Sequence, residues 1–272
     1  MLTYTDVSLD RTALARSGLP ESMLAETGKL GFDHAGWIAT TVSDGGGANS
    51  PVLLTSVHTA CDRQSVASLL RTSAFDDVSF ATLFEDGSVV ETGLRPKKRW
   101  WYLRWGLDVP RVHAFALEYV EAGSIAALRE IHETRVEAER RRGGRPVSGH
   151  DMRTYLAIRK RYRELADPRM QRQQTIALVS GMLAIAMSAA ASAYVRKGVG
   201  PSALPMISNT AVAIGLSMLI GALVFMVSLF FVAPILARGA KAPPPRSARE
   251  LLRLADDVRQ GFLPPSSGTL EM

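Results

Sequence analysis

From His34 to Thr92 the chain runs in short apolar, Thr-containing stretches separated by turn residues, the pattern of a β-sheet. His34 to Val42 and Pro51 to Thr59 predict two strands, joined by Ser43-Asp44-Gly45-Gly46-Gly47-Ala48-Asn49-Ser50. That loop lacks the Gly-Lys-Ser/Thr ending and the following helix of a phosphate cradle, so it reads as a flexible hairpin loop. Ser65 to Arg71 predicts a third strand or a short helix. Val78 to Phe84 and Ser88 to Thr92 flank Glu85-Asp86-Gly87, and Asp-Gly supplies the positive φ of a tight hairpin turn. Val78, Phe80, Thr82 and Phe84 fall on one face of that strand. Val112 to Val120 is apolar and reads as a sixth strand in preference to the start of a helix.

Helical spacing appears on either side of this region. Residues 20–30 predict a short helix, with Pro20 at its start and Gly31 at its end. Ser124 caps a predicted helix to Arg142, closed by Gly143 and Gly144; Arg129–Glu133, Arg135–Glu139 and Glu137–Arg141 stand four apart on it. A further helix is predicted from Asp151 to Ala166, with Met152, Tyr155, Leu156, Tyr162 and Leu165 as its apolar stripe and Pro168 as its stop. Near the C-terminus, Ser247-Ala248-Arg249-Glu250 has capping-box form and opens a short amphipathic helix after Pro243-Pro244-Pro245. The fold class expected is α+β: a mainly antiparallel sheet with helices on one side.

Two stretches break the pattern. Thr175 to Val195 and Asn209 to Ala237 contain no Asp, Glu, Lys, Arg or His. As a helix the first would span roughly 31 Å, about the thickness of a bilayer's hydrocarbon core. They predict a two-helix transmembrane hairpin. Arg159, Lys160, Arg161, Arg163, Arg169 and Arg172 precede it, Arg238, Lys241, Arg246 and Arg249 follow it, and the loop between holds only Arg196 and Lys197. Basic flanks favour the cytoplasm, so the expectation is a multi-pass protein of the membrane with both termini cytoplasmic. The expected organisation is a cytoplasmic domain over 1–172, spans at 173–195 and 209–237, an extracytoplasmic loop at 196–208 and a cytoplasmic tail at 238–272. Small residues recur every fourth position as Ser180, Ala184, Ser188 and Ser192, and again as Ala213, Ser217 and Gly221, spacing that suits close helix packing.

Composition adds little to this picture. The net charge is +6, and much of the excess lies in the flanks of the apolar stretches and in one basic-aromatic segment, so no nucleic acid is expected as a partner. The single cysteine, Cys61, excludes an intrachain disulfide framework. Met1 to Thr12 lacks the form of a cleaved signal peptide. Arg outnumbers Lys, which points to a GC-rich bacterial genome.

Chemistry is sparse. His58 and Cys61 stand three apart, but no second Cys and no other His pair completes the usual metal spacing, so no metal and no cofactor is expected. His132-Glu133 lacks the second His of a zincin motif, position 136 being Val136. Asp76 and Asp77 are adjacent and would point to opposite faces of a strand. The segment around Lys97, Lys98, Arg99, Trp100, Trp101 and Trp105 suits either a lipid headgroup region or a hairpin extension folded onto the core. The functional expectation is an interaction or regulatory module anchored in a membrane, with lipids and a protein partner or a second copy of itself as contacts. The alternatives are a small subunit of a transport or envelope complex and an enzyme with a site around His58 and Cys61.

Overall fold

The computed structural model describes residues 2–42, 52–71, 76–94, 115–198, 215, 218–219, 221–223, 225–227, 244–256 and 258–261. The chain divides into two units. One is formed by Met1–Arg99, Asp108–Arg163 and Pro244–Met272, the other by Trp100–Leu107 and Glu164–Pro243.

The first unit is built on one mixed sheet. Its strands are β1 (Leu2–Asp6), β2 (Phe32–Val42), β3 (Val52–Ala60), β4 (Val66–Arg71), β5 (Asp76–Leu83), β6 (Val89–Leu94), β7 (Phe115–Val120) and the two-residue β8 (Arg259–Gln260). They lie in the order β7-β6-β5-β4-β3-β2-β1-β8. The run from β1 to β6 is an antiparallel meander, while β7 joins β6 and β8 joins β1 in parallel. The Asp-Gly turn forms where expected: Phe84 N–H donates to the Ser88 carbonyl at 2.9 Å and Gly87 takes φ +82°.

Helices cover both faces of this sheet, which corrects the one-sided arrangement expected from the sequence. Successive side chains on a strand point to opposite faces. Thr92 of β6 bonds His132 on α3 (Ile125–Arg141), and the neighbouring Glu91 bonds Arg159 on α4 (Met152–Gly198). β5 is buried along both faces from Val78 to Leu83, as two helical layers require. On the α3 side, Phe32, Trp37, Leu54, Leu69, Phe80 and Leu128 form the main apolar core, with Met23 and Leu24 of α2 (Glu21–Lys29) against it. The short α1 (Ala13–Ser17) contributes the fully buried Ala13.

The C-terminal segment completes this unit. Helix α5 (Ala248–Ala255) opens on a full capping box, in which the Ser247 side chain accepts from Glu250 N–H and the Glu250 carboxylate accepts from Ser247 N–H. Leu251 is fully buried, and Arg153 of α4 reaches Asp256 at 2.5 Å. Lys160 donates to the Leu254 carbonyl. Gly261 N–H donates to the Asp6 carbonyl at 2.9 Å, fastening the segment beside β1.

Helix α4 does not stop before Pro168; the proline lies inside it, at an exposed position, and removes one backbone donor without ending the helix. The apolar stretch from Thr175 is therefore the continuation of a helix that begins at Met152. Among the described residues no helix is long and apolar enough to cross a membrane. This overturns the transmembrane hairpin and with it the multi-pass placement and the topology. The charge argument behind that topology also fails on inspection of its residues. Arg159 is bonded to Glu91, Lys160 to Leu254, Arg161 is 1% exposed, and Arg163 lies over the Tyr4 ring at 5.7 Å. Those basic side chains serve the packing of the sheet unit.

Candidate functional site

The best-connected polar group lies between the sheet and α4. Glu91 sits mid-strand on β6 and its side chain is 3% exposed. Arg159 approaches it in bidentate fashion, at 2.7 Å and 3.3 Å, and also donates to Ser79 Oγ at 3.2 Å and Ser68 Oγ at 3.4 Å. Ser68 and Ser79 are register partners on β4 and β5, and their hydroxyls meet at 2.9 Å. Tyr155, one turn earlier on α4, places its ring 5.1 Å from the guanidinium. Burial acts to lower the Arg159 pKa, but Glu91 foremost, then Tyr155 and Asp77, hold it well above the usual arginine value. Tyr119 is raised by burial and then by Asp77 and Glu91. A charge pair so closely matched, with its donors satisfied, fixes α4 on the sheet; it offers no unmatched group to a substrate.

Among the described residues three histidines are buried on or beside the sheet, and they differ in how their nitrogens are used. His132 on α3 bonds Thr82 through Nε2 and Thr92 through Nδ1, both at 3.1 Å. Burial, then the nearby Arg135 and His150, push its pKa down to about 3. His150 accepts from Leu83 N–H at Nε2, at 3.0 Å, and lies 3.2 Å from the Arg63 carbonyl through Nδ1. His58 on β3 bonds Ser56 Oγ at 2.9 Å through Nε2, while its buried Nδ1 has no hydrogen-bond partner. Burial and then His34 push His58 down to about 4, so the ring is neutral at pH 7.

His34 is the direct cross-strand partner of His58, with ring centroids 5.2 Å apart, and Trp37 lies 5.5 Å from His34. Unlike His58, His34 is exposed. It stands immediately before a register shift between His34 and Gly36. Gly36 takes φ +151°, and a Cβ there would meet Ser8 Oγ at 2.1 Å, so only glycine fits this bulge.

The pairing of His58 with Cys61 does not form. Cys61 is exposed and its thiol lies 3.9 Å from Asp33, whereas His58 turns to Ser56. No thiol–imidazole nucleophile pair results. Asp76 faces Arg71 at 3.5 Å. Among the described residues no three His, Cys, Asp or Glu side chains converge as a metal cluster. His132, which the sequence reading dismissed with the zincin pattern, and Glu91–Arg159, which it missed, are both interior. A charged residue in the middle of the β6 pattern was the one available signal for the latter.

Lys97, Lys98, Arg99, Trp100, Trp101 and Trp105 lie outside the described residues, as do the glycine-rich loop at 43–50, Ala213 and Ser217. Ser192 lies within α4. In the second unit, Ser180 and Ala184 are buried, and a Cβ on Gly221 would meet Ser188 Oγ at 2.2 Å and the Ala184 carbonyl at 3.4 Å. Gly181 faces Phe225 in the same way, at 3.8 Å. The opposite side of this stretch of α4 is apolar and open: Leu178 is 71%, Met182 72% and Ile185 72% exposed. Met218, Leu219 and Leu223 are exposed to 64–70%.

A scan against family models finds no match, and searches of curated proteins and of solved structures find none either.

Proposed function

We propose that the chain is an interaction module, in which the second unit carries an apolar helical face that docks a second copy of the same chain. The observation that supports this most directly is the exposure of Leu178, Met182 and Ile185, which share one side of α4. Large apolar side chains left in water along about two turns cost about 25 cal/mol for each Å² that a partner could cover. The small residues Ala184 and Ser188 lie on the other side, toward Gly221, and Ser180 is buried, so the large apolar side is left for a partner. An uncharged face carries no like-charge penalty against its own copy, which suits a two-fold, self-complementary interface.

The sheet unit fits a supporting role. Its buried Glu91, Arg159, His132 and His150 are bonded within the unit, and among the described residues the titratable side chains do not assemble a nucleophile with a base.

The experiment is light scattering on the full chain together with a Met182→Glu, Ile185→Glu variant. The expected result is a dimer or higher oligomer that the variant converts to monomer without loss of the sheet's circular-dichroism signal. A monomeric full chain would overturn the reading. So would association only with protein-free lipid vesicles.

A further inference from the structure

We propose that His34 and His58 form a two-histidine site for a borderline transition-metal ion such as Zn2+, Ni2+ or Cu2+. Direct cross-strand partners in an antiparallel pair carry side chains on the same face, with Cβ atoms about 5 Å apart. The register His34↔His58 therefore aims both rings into one space. Their centroids lie 5.2 Å apart with planes at 72°. Two imidazoles bound to one ion through nitrogens at about 2.0–2.1 Å, at a tetrahedral angle, put their ring centres about 5 Å apart. The spacing fits without a rearrangement of the strands.

The second observation is the nitrogen usage. His58 is 3% exposed, and among the described residues its Nδ1 is the one ring nitrogen of a buried histidine that has no partner. His132 and His150 have both nitrogens engaged, so burial as such does not leave a nitrogen bare. In the tautomer whose Nε2–H donates to Ser56 Oγ, Nδ1 carries the lone pair a metal needs, and the serine orients the ring as outer partners of metal-bound histidines do. His34 is exposed and gives an ion its route from solvent. The bulge at Gly36 holds His34 at the end of its regular ladder, a position where bulges re-aim side chains.

Two protein nitrogens leave the remaining positions to water, and imidazole donors select the later first-row ions over Mg2+ or Ca2+. Trp37 stands beside His34 as a built-in reporter.

The test is titration of the full chain with ZnCl2, NiCl2 and CuSO4 at pH 7.5 by calorimetry, with Trp fluorescence followed for Cu2+. The expected result is one ion per chain, with MgCl2 silent. His34→Ala, a change at an exposed position, is expected to weaken binding at least tenfold while leaving the thermal midpoint of the metal-free protein in place. Because His58→Ala opens a buried cavity, His58→Gln serves as the second variant, and it too is expected to weaken binding at least tenfold. Binding that survives in His34→Ala, or wild-type protein that takes up none of the three ions at 0.1 mM, overturns the site.

Discussion

Glu91 and Arg159 meet at 2.7 Å between β6 and α4, and Thr92, the next residue on the same strand, is held from the opposite face by Arg135 and His132 of α3. One strand thus anchors both helical layers through consecutive residues. A buried ion pair is not by itself a large net source of stability, because desolvation offsets most of its attraction. Removing Glu91 is another matter, since the half-buried Arg159 guanidinium is then left against the sheet without its carboxylate. Glu91→Ala is expected to destabilise the sheet unit by about 3–5 kcal/mol, and the double change Glu91→Leu, Arg159→Met by much less. Urea unfolding of the three proteins, followed by circular dichroism, measures both. A double variant as unstable as the single one would show that the pair contributes through its hydrogen bonds to Ser68 and Ser79.

The meander was legible because its signals are local. The strands from Phe32 to Leu94 appear within a few residues of where alternation and the Asp86-Gly87 turn put them. The helix from Ile125 and the capping box at Ser247 were equally plain. The second helical layer was not. β5 is buried on both faces, but its second face is Ser79, Ala81 and Leu83, small or apolar residues that look like an ordinary half-exposed strand until α4 is known. The surface pairs predicted on α3 split in the same way. Arg129 meets Glu133 at 2.6 Å and Arg141 meets Glu137 at 3.6 Å, but Arg135 leaves Glu139 to reach Thr92, the Glu91 carbonyl and Glu118. The apolar stretch at 175–195 was legible as helix, but its charged N-terminal continuation back to Met152 crosses a proline that local rules treat as a stop. The His34–His58 pairing depends on strand register, which spacing along the chain does not state.

Acid is expected to weaken the fold well before the carboxylates titrate. His58 and His132 have pKa values near 4 and 3 in the folded chain, and His34 and His150 are lowered too, in each case with burial as the first cause. Unfolded, each titrates near 6.5. The unfolded state therefore binds more protons below about pH 6.5, and stability falls as pH drops from there toward the folded values. Each histidine contributes at most about 1.4 kcal/mol per pH unit in that window. Denaturation midpoints measured from pH 8 to pH 4 should be flat at the top and slope below 6.5. The slope should shrink by close to one proton in a His132→Asn variant. A flat profile down to pH 5 would mean that the buried rings are protonated at little cost.

The capping box at α5 is expected to matter more than a short surface helix would suggest. Ser247 and Glu250 satisfy each other's backbone donors, and the helix they open buries Leu251 against the unit. Ser247→Ala should cost about 1 kcal/mol. Amide exchange read at Ala248 and Leu251, whose N–H groups bond the Glu85 and Ser247 carbonyls, should accelerate while that of β4 and β5 stays unchanged.

Gly87 ties the Asp-Gly turn to the returning C-terminal segment. Its φ of +82° already favours glycine, and a Cβ would fall 1.7 Å from the Arg246 carbonyl oxygen, a backbone atom that cannot swing aside as a side chain can. Next to it, Ala248 N–H donates to the Glu85 carbonyl, so the turn and the start of α5 are held together on both sides. Gly87→Ala must therefore either distort the hairpin or push Arg246 and the α5 N-terminus away. The strain at positive φ alone exceeds about 1 kcal/mol, and the clash adds to it. The two responses are separable. If α5 is displaced, Leu251 loses its burial and exchange accelerates in α5 while the β5–β6 ladder keeps its protection. If the hairpin yields, protection is lost at Leu83 and Val89. The antiparallel ladder is continuous from Ser79 to Leu83, whereas α5 is a single short helix whose bonds to Arg153 are exposed, so displacement of α5 is the expected outcome. A Gly87→Ala protein with unchanged stability and unchanged exchange in both places would refute the close packing of Arg246 on the turn.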